Sequence, residues 1–258
     1  MKTIAIIPAR YRSTRLPGKP LIEIKGKPLI QYVYERVKAS SVQQVIVATD
    51  DERIVAAVKG FGGKAVLTSP HHRSGTERVA EVTADMDVDI VVNVQGDEPL
   101  IQAEDIDKAM APFSHDPSMR VTTLITPLTN GADLYNPHVV KVVVDHDGFA
   151  LYFSRSPIPY PRDTLQKAGD APLKKIEIIK QLDKKEIKGS WQHIGLYAFR
   201  RDFLLELTAL PPSFLEKQEG LEQLRILENG YKIKTVVCSS PSIGIDTPED
   251  VEQFRSLL

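Results

Sequence analysis

The chain has 258 residues, 33 lysines and arginines against 34 acids, and a formal net charge of −1. A protein that coats nucleic acid or an anionic membrane needs a cationic excess, which this composition lacks. With 42% hydrophobic and 26% charged residues the chain can build an ordinary globular core, and its single cysteine, Cys238, excludes an internal disulfide and a cysteine-rich zinc site.

Thr3–Ile7 is a short β-branched run stopped by Pro8, which predicts a buried strand. Ala9–Lys19 follows without helical or strand period. Pro28 sits where a helix starts, and Leu29, Ile30, Val33 and Val37 recur at helical spacing. Val45–Ala48 is a second strand, and Asp50, Asp51 and Glu52 open a helix carrying Ile54, Val55 and Val58. Ala65–Leu67 is a third strand. A polar loop leads to a helix from about Thr76, with Val79 and Val82, and Asp89–Val94 is a fourth strand. This alternation predicts a doubly wound, mostly parallel sheet with right-handed crossovers.

After Pro99 the pattern loosens. Glu104–Met110 reads as a helix. Arg120–Ile125, Val139–Val144 and Phe149–Phe153 read as strands, the last two divided by an Asp145-His146-Asp147-Gly148 turn. Ile194–Phe199 is another strand. Leu221, Leu224 and Leu227 mark a helix ended by Asn229-Gly230. Ile233–Val237 is a strand, and Val251, Phe254 and Leu258 mark a last helix opened by Thr247-Pro248-Glu249-Asp250. Pro172–Lys188, with six lysines and three acids, reads as a solvated amphipathic excursion. Neither an internal repeat nor a domain-splitting linker is present, so residues 1–258 are expected to form one domain. The first residues are too briefly apolar for a signal peptide, and no run reaches the length of a membrane span. A cytoplasmic protein is expected, without nucleic-acid or membrane partners.

Four loops carry the chemistry. The first, Ala9–Pro20, packs Arg10, Arg12, Arg15 and Lys19 beside Gly18 in the turn after the first strand. Ligands of open α/β sheets bind outside the carboxyl ends of strands, and arginine forks suit phosphate, so this loop reads as a polyphosphate cradle. It is not a Walker A loop, because the G-x-x-x-x-G-K-[ST] spacing is missing. The second, Asn93–Pro99, places Asp97 at a strand end, where a carboxylate serves either a hard cation such as Mg²⁺ or a helix N-terminus. The third, Gly244–Pro248, offers Asp246. It can complete a metal site or cap the last helix, and Thr247 can do the capping instead. In the fourth, Arg73–Arg78, Ser74 and Glu77 fit a capping box, compatible with a nucleobase reader built from Ser74 and backbone groups. His71-His72 reads as surface loop, Gly60-x-Gly62 as a turn in the wrong context for a dinucleotide fingerprint, and His193 by itself as structural.

Taken together, these loops resemble those of the 3-deoxy-manno-octulosonate cytidylyltransferase family. Ile7-Pro8-Ala9-Arg10, Ser13–Pro20, Ser74–Arg78 and Asn93–Pro99 carry the likeness. So do Asn136-Pro137, Val140–Val143, Leu151–Arg155, Leu221–Arg225 and Gly244–Asp250, in order along the chain. The resemblance implies a nucleotide-diphospho-sugar transferase-like fold. Residues 1–125 and 231–258 would form a nucleotide-binding core, and 126–230 a smaller mixed α+β portion for sugar binding and dimerisation. It implies transfer of CMP from CTP to 3-deoxy-manno-octulosonate (Kdo), with Mg²⁺, by a homodimer feeding lipopolysaccharide synthesis. By position, Arg10, Arg15 and Lys19 would hold the triphosphate, Ser74 and Gly75 the cytosine, and Asp97 and Asp246 the metal. Lys19, Asp97 and Asp246 would be catalytic. Gln95 would lie where nucleotide and sugar meet, and Arg155, Arg162, His193, Tyr197, Glu222 and Gln223 would surround the sugar acid. The alternatives are a cytidylyltransferase for 8-amino-Kdo or a sialic acid and, in another class, a non-catalytic nucleotide-sensing module. Retention of Lys19, Asp97 and Asp246 speaks against the module.

Overall fold

The alternation of strand and helix signals is realised in a computed structural model that describes residues 1–12, 16–166, 172–183, 185, 187, 189–238 and 244–258. The strands are β1 (Thr3–Ala9), β2 (Glu23–Ile24), β3 (Lys27–Pro28), β4 (Gln44–Thr49), β5 (Ala65–Leu67), β6 (Ile90–Asn93), β7 (Val121–Pro127), β8 (Lys141–Val144), β9 (Ala150–Ser154), β10 (Trp191–Arg200) and β11 (Lys234–Val237). The helices are α1 (Leu29–Lys38), α2 (Glu52–Gly60), α3 (Gly75–Thr83), α4 (Ala103–Met110), α5 (Pro112–His115), α6 (Gly131–Tyr135), α7 (Arg162–Gln166), α8 (Pro172–Gln181), α9 (Arg201–Ala209), α10 (Phe214–Glu219), α11 (Leu224–Glu228) and α12 (Pro248–Leu257). None of the described helices is long and apolar enough to cross a membrane.

The chain divides into two compact units. The first takes Met1–Thr122, Gly195–Ala209 and Ser240–Leu258. Here β1 pairs in parallel with β4 on one side and β6 on the other, and β5 continues in parallel beyond β4. Tyr197–Arg200 of β10 runs antiparallel to β6. The chain therefore winds outward from β1 through β4 to β5 and returns on the opposite side of β1. That reversal makes the gap between β1 and β6 a topological switch point, where the loops leaving the strand ends part and open a crevice. Ile4 to Ile7 of β1 are fully buried, as expected of a strand covered on both faces. β1 runs on through Pro8 to Ala9, past the expected stop. β6 has already ended opposite Ile6, so the missing N–H interrupts no ladder on that side. Val251 and Phe254 of α12 pack with Ile245 against Ile24 and Leu29, and the Phe254 ring meets Tyr32 edge to face at 5.2 Å.

The second unit takes Thr123–Ile194 and Leu210–Ser239. β8 and β9 form the expected antiparallel hairpin around Asp145–Gly148, and Trp191 and Gln192 of β10 pair with Val142 and Lys141. One expectation fails here. The described part of 172–188 is not a solvated excursion: α8 occupies Pro172–Gln181, and Ile179, Leu182 and Ile187 join Leu128, Leu134 and Leu165 in a buried cluster. The spacing of three puts Ile179 and Leu182 on one stripe, while Leu173, six residues before Ile179, remains exposed. α6 and α8 approach backbone to backbone. Gly131 N–H donates to the Leu182 carbonyl at 2.9 Å, and a Cβ on Gly131 would fall 1.7 Å from the Ile179 carbonyl oxygen.

Candidate active site

At the switch point the first unit holds a cavity of about 420 Å³ lined by Arg10, Arg12 and Lys19 from the first loop, Gly75, then Gln95 and Asp97, and finally Asp246. Each loop is fixed by its own local chemistry. The first is closed at its base by Gly18 N–H donating to the Tyr11 carbonyl at 2.9 Å, with Gly18 at φ 69°, a left-handed angle suited to glycine. Lys19 then begins a 3₁₀ turn, and its N–H donates to Leu16 at 3.1 Å. In the second loop, Gly96 passes so close to β1 that a Cβ would stand 2.9 Å from the Pro8 carbonyl oxygen. Residue 96 is thus glycine for steric reasons, which lets Asp97 reach the crevice. Ile245 N–H donates to the Asp97 carbonyl at 2.8 Å, binding the third loop to the second. Thr247 and Asp250 form a full capping box on α12, and the Asp250 carboxylate also accepts from Asp246 N–H at 2.9 Å. Capping is therefore done without the Asp246 side chain.

Asp97 and Asp246 converge on one cation. The Lys19 ammonium donates to Asp97 Oδ2 at 2.6 Å and to Asp246 Oδ1 at 3.0 Å. Burial works against the charged amine, but the two carboxylates outweigh it and hold its pKa above the ordinary lysine value. Arg10 adds a second feature, a buried Nη2 with no hydrogen-bond partner. Arg10 also lines the cavity, and a guanidinium there suits an anionic oxygen from a ligand. The donor set at Asp97 and Asp246, hard carboxylate oxygens brought to one point in a cavity lined by Arg10, Arg12 and Lys19, fits a divalent metal that completes its shell with ligand oxygens.

At the fourth loop, Ser74 Oγ caps α3 by accepting from Glu77 N–H at 3.2 Å. The Glu77 carboxylate accepts from Arg73 N–H at 2.7 Å. Gly75 sits where a Cβ would come within 3.1 Å of Pro8, so α3 starts hard against the end of β1. Arg15 lies outside the described residues. Arg12 lines the crevice although only its place in a basic loop pointed to it.

Residues 4–233 match the cytidylyltransferase family. The chain is 52% identical over 259 residues to a 3-deoxy-manno-octulosonate cytidylyltransferase of Geotalea daltonii, covering 100% of this chain and 98% of the relative. The chain belongs to the 3-deoxy-manno-octulosonate cytidylyltransferase family. A relative of the same name from Geobacter sulfurreducens is 48% identical over the full length of both chains. A solved CMP:2-keto-3-deoxy-manno-octonic acid synthetase complexed with CTP superposes with a TM-score of 0.87 at 43% identity, covering 100% of this chain and 98% of that one. A cytidylyltransferase from Leptospira borgpetersenii, at 19% identity and a TM-score of 0.61, shares the fold.

As a cytidylyltransferase, the chain carries the residues implied for the sugar acid in both units. Tyr197, in the first, stacks on Phe199 at 5.6 Å. The rest lie in the second. His193 meets the Phe153 ring edge to face at 5.0 Å, its Nε2 lies 2.9 Å from Thr123 Oγ1, and burial pushes its pKa down to about 3. The imidazole is therefore neutral at physiological pH. Gln223 is buried with an unpartnered Nε2, and Glu222 lies 3.9 Å from Arg225. Arg162 is exposed at the start of α7. Arg155 spends its guanidinium on the fold, with Nε donating to the Glu219 carbonyl at 2.8 Å, Nη1 to Pro137 at 2.9 Å and Nη2 to Gly220 at 3.4 Å. Sequence reasoning missed Glu219. Its carboxylate accepts from Ser154 Oγ at 2.6 Å and Arg155 N–H at 2.9 Å, a long-range pairing that no spacing announces.

Proposed function

We propose that the enzyme transfers CMP from CTP to the anomeric hydroxyl of Kdo and releases pyrophosphate. The observation that carries this reading is the crevice at the β1–β6 switch point, where Asp97 and Asp246 converge on Lys19 in a cavity also lined by Arg10 and Arg12. Arg10 and Lys19 bind the triphosphate and offset the charge that grows on the leaving pyrophosphate. Gly75 and Gly96 let their loops lie against Pro8 at the end of β1, where a β-carbon would collide. Ser74 and Gly75 face the cytosine, and Gln95 lies where nucleotide and sugar meet. Asp97 and Asp246 hold Mg²⁺, which when bound supplies Lewis-acid activation of a hydroxyl that is otherwise a poor nucleophile. The hydroxyl oxygen bonds to the α-phosphorus as the bond to pyrophosphate breaks, and the proton leaves to solvent. No covalent protein intermediate is required.

The sugar-side assignments belong to the same proposal: Gln95 and Tyr197 in the first unit, and Arg155, Arg162, His193, Glu222 and Gln223 in the second. So do a homodimeric state, a cytoplasmic location and a place in lipopolysaccharide synthesis, all of which rest on family membership. Pyrophosphate release from CTP, with Kdo, 8-amino-Kdo and a sialic acid offered separately, tests the reading. Release with Kdo supports it, and release only with one of the other two acids overturns the assigned acceptor.

A further inference from the structure

We propose that Lys19 is a stand-in cation that closes the metal position until the nucleotide arrives, so that the metal enters only with or after CTP. The inference rests on the assignment of Asp97 and Asp246 to a divalent metal and concerns how that site is kept before it is filled.

One Nζ lies 2.6 Å from Asp97 and 3.0 Å from Asp246, the place from which a small cation would address both oxygens. The Lys19 side chain is only 13% exposed, against 32% for Asp97 and 39% for Asp246, so the amine plugs the bottom of the pair. Mg²⁺ needs oxygen ligands at about 2.0–2.1 Å and gives up its waters reluctantly. A metal at the same point would meet an ammonium at contact distance, with like charges in a partly desolvated pocket. Either the lysine leaves or the metal stays out.

The lysine can leave without disturbing the loop. Its backbone is held by Lys19 N–H on Leu16 at 3.1 Å and by Ile22 N–H on the Lys19 carbonyl at 3.2 Å. Only the flexible four-carbon stem has to rotate. What draws it away is a better anion. Arg10 and Arg12 line the same cavity, so a triphosphate bound there presents oxygens to Lys19. The same event frees two carboxylates and supplies phosphate oxygens for the metal's shell. Metal-free enzyme is thereby spared an unpaired pair of carboxylates, and metal without nucleotide finds no open site.

The test is Mn²⁺ binding followed by electron paramagnetic resonance of the free ion, on wild type, Lys19→Met and Lys19→Gln, with melting curves confirming that each is folded. Without nucleotide, both variants are expected to bind Mn²⁺ at least tenfold more tightly than wild type. Adding Asp97→Asn and Asp246→Asn to Lys19→Met should abolish the gain. With CTP and no sugar acid, wild type should take up one Mn²⁺ beyond what CTP alone retains. Wild type binding Mn²⁺ as tightly as the lysine variants, with loss only on removing the carboxylates, overturns the stand-in and leaves the metal assignment intact. Folded lysine variants that gain no affinity, joined by wild type with CTP that takes up no additional Mn²⁺, overturn the metal assignment as well.

Discussion

His193 gives the sharpest physical test of the second unit. Its pKa falls from 6.5 to about 3 because burial disfavours the imidazolium. In the unfolded chain the same histidine takes up its proton near pH 6.5. Between those values the unfolded state binds more protons than the folded one, so stability falls as pH falls. The contribution is fully present above 6.5 and is lost on the way down to about 3. Little of it is missing at pH 7, about 2 kcal/mol is gone at pH 5, and the whole shift corresponds to about 5 kcal/mol as an upper bound. His193→Gln keeps a polar group facing Thr123 and removes the titration. Urea unfolding of both proteins at pH 7 and pH 5 should show wild type losing about 2 kcal/mol more than the variant over that interval. Equal losses in the two proteins would mean that the imidazole titrates normally and is open to water. The same argument gives the residue its chemical character: a neutral ring exchanging hydrogen bonds, with no positive charge to offer a sugar carboxylate near pH 7.

Asp97→Asn and Asp246→Asn should each abolish pyrophosphate release with the fold intact, and near wild-type turnover at saturating Mg²⁺ would remove that residue from the metal site. CTP should be favoured over UTP by about 1–3 kcal/mol in kcat/KM, and equal values would remove the cytosine pocket at Ser74 and Gly75. Gly131→Ala drives a β-carbon into the α8 backbone and should cost about 3 kcal/mol or more; an unchanged melting temperature would mean that α8 does not pack there. Arg155→Ala strips three carbonyls of their donor and should lower the melting temperature. Arg162→Ala should leave it unchanged and raise KM for the sugar acid over that for CTP, by on the order of 1.5–3 kcal/mol. An unmoved sugar KM in the Arg162 variant places the carboxylate elsewhere.

The first unit was legible because its signals are local. The β1, β4, β5 and β6 runs are short, apolar and punctuated, and the helices between them keep a 3.6-residue stripe, so both fold class and crevice follow. Asp97 and Lys19 follow from their place at strand ends, and the Thr247–Asp250 box shows why Asp246 need not cap α12. The convergence of Asp97 and Asp246 is less visible, because it depends on the hydrogen bond from Ile245 to Asp97 across almost 150 residues of chain. In the second unit the signals mislead. Lysine density in 172–188 hides a helix whose buried stripe is only a few residues wide, and short helices such as α6 and α10 fall below the length at which periodicity is informative. The family resemblance assigns Arg155 to the sugar acid without announcing its role in the fold. Only the structure reveals that carbonyls 64, 18 and 65 residues away already hold it.

The first unit is assembled from three stretches of chain, with boundaries at 122–123, 194–195, 209–210 and 239–240. Its last stretch brings Ile245, Val251 and Phe254, which close a core begun by Ile24 and Leu29, and it brings Asp246. During synthesis the cationic loop and Asp97 therefore emerge long before their partner carboxylate. While the last stretch is still inside the ribosome, Lys19 has one anion instead of two, and the apolar seat of α12 is open to water. A growing chain in that state already offers the cationic loop but lacks the second arm of the carboxylate pair. The carboxylate pair is completed by the same stretch that seals the core.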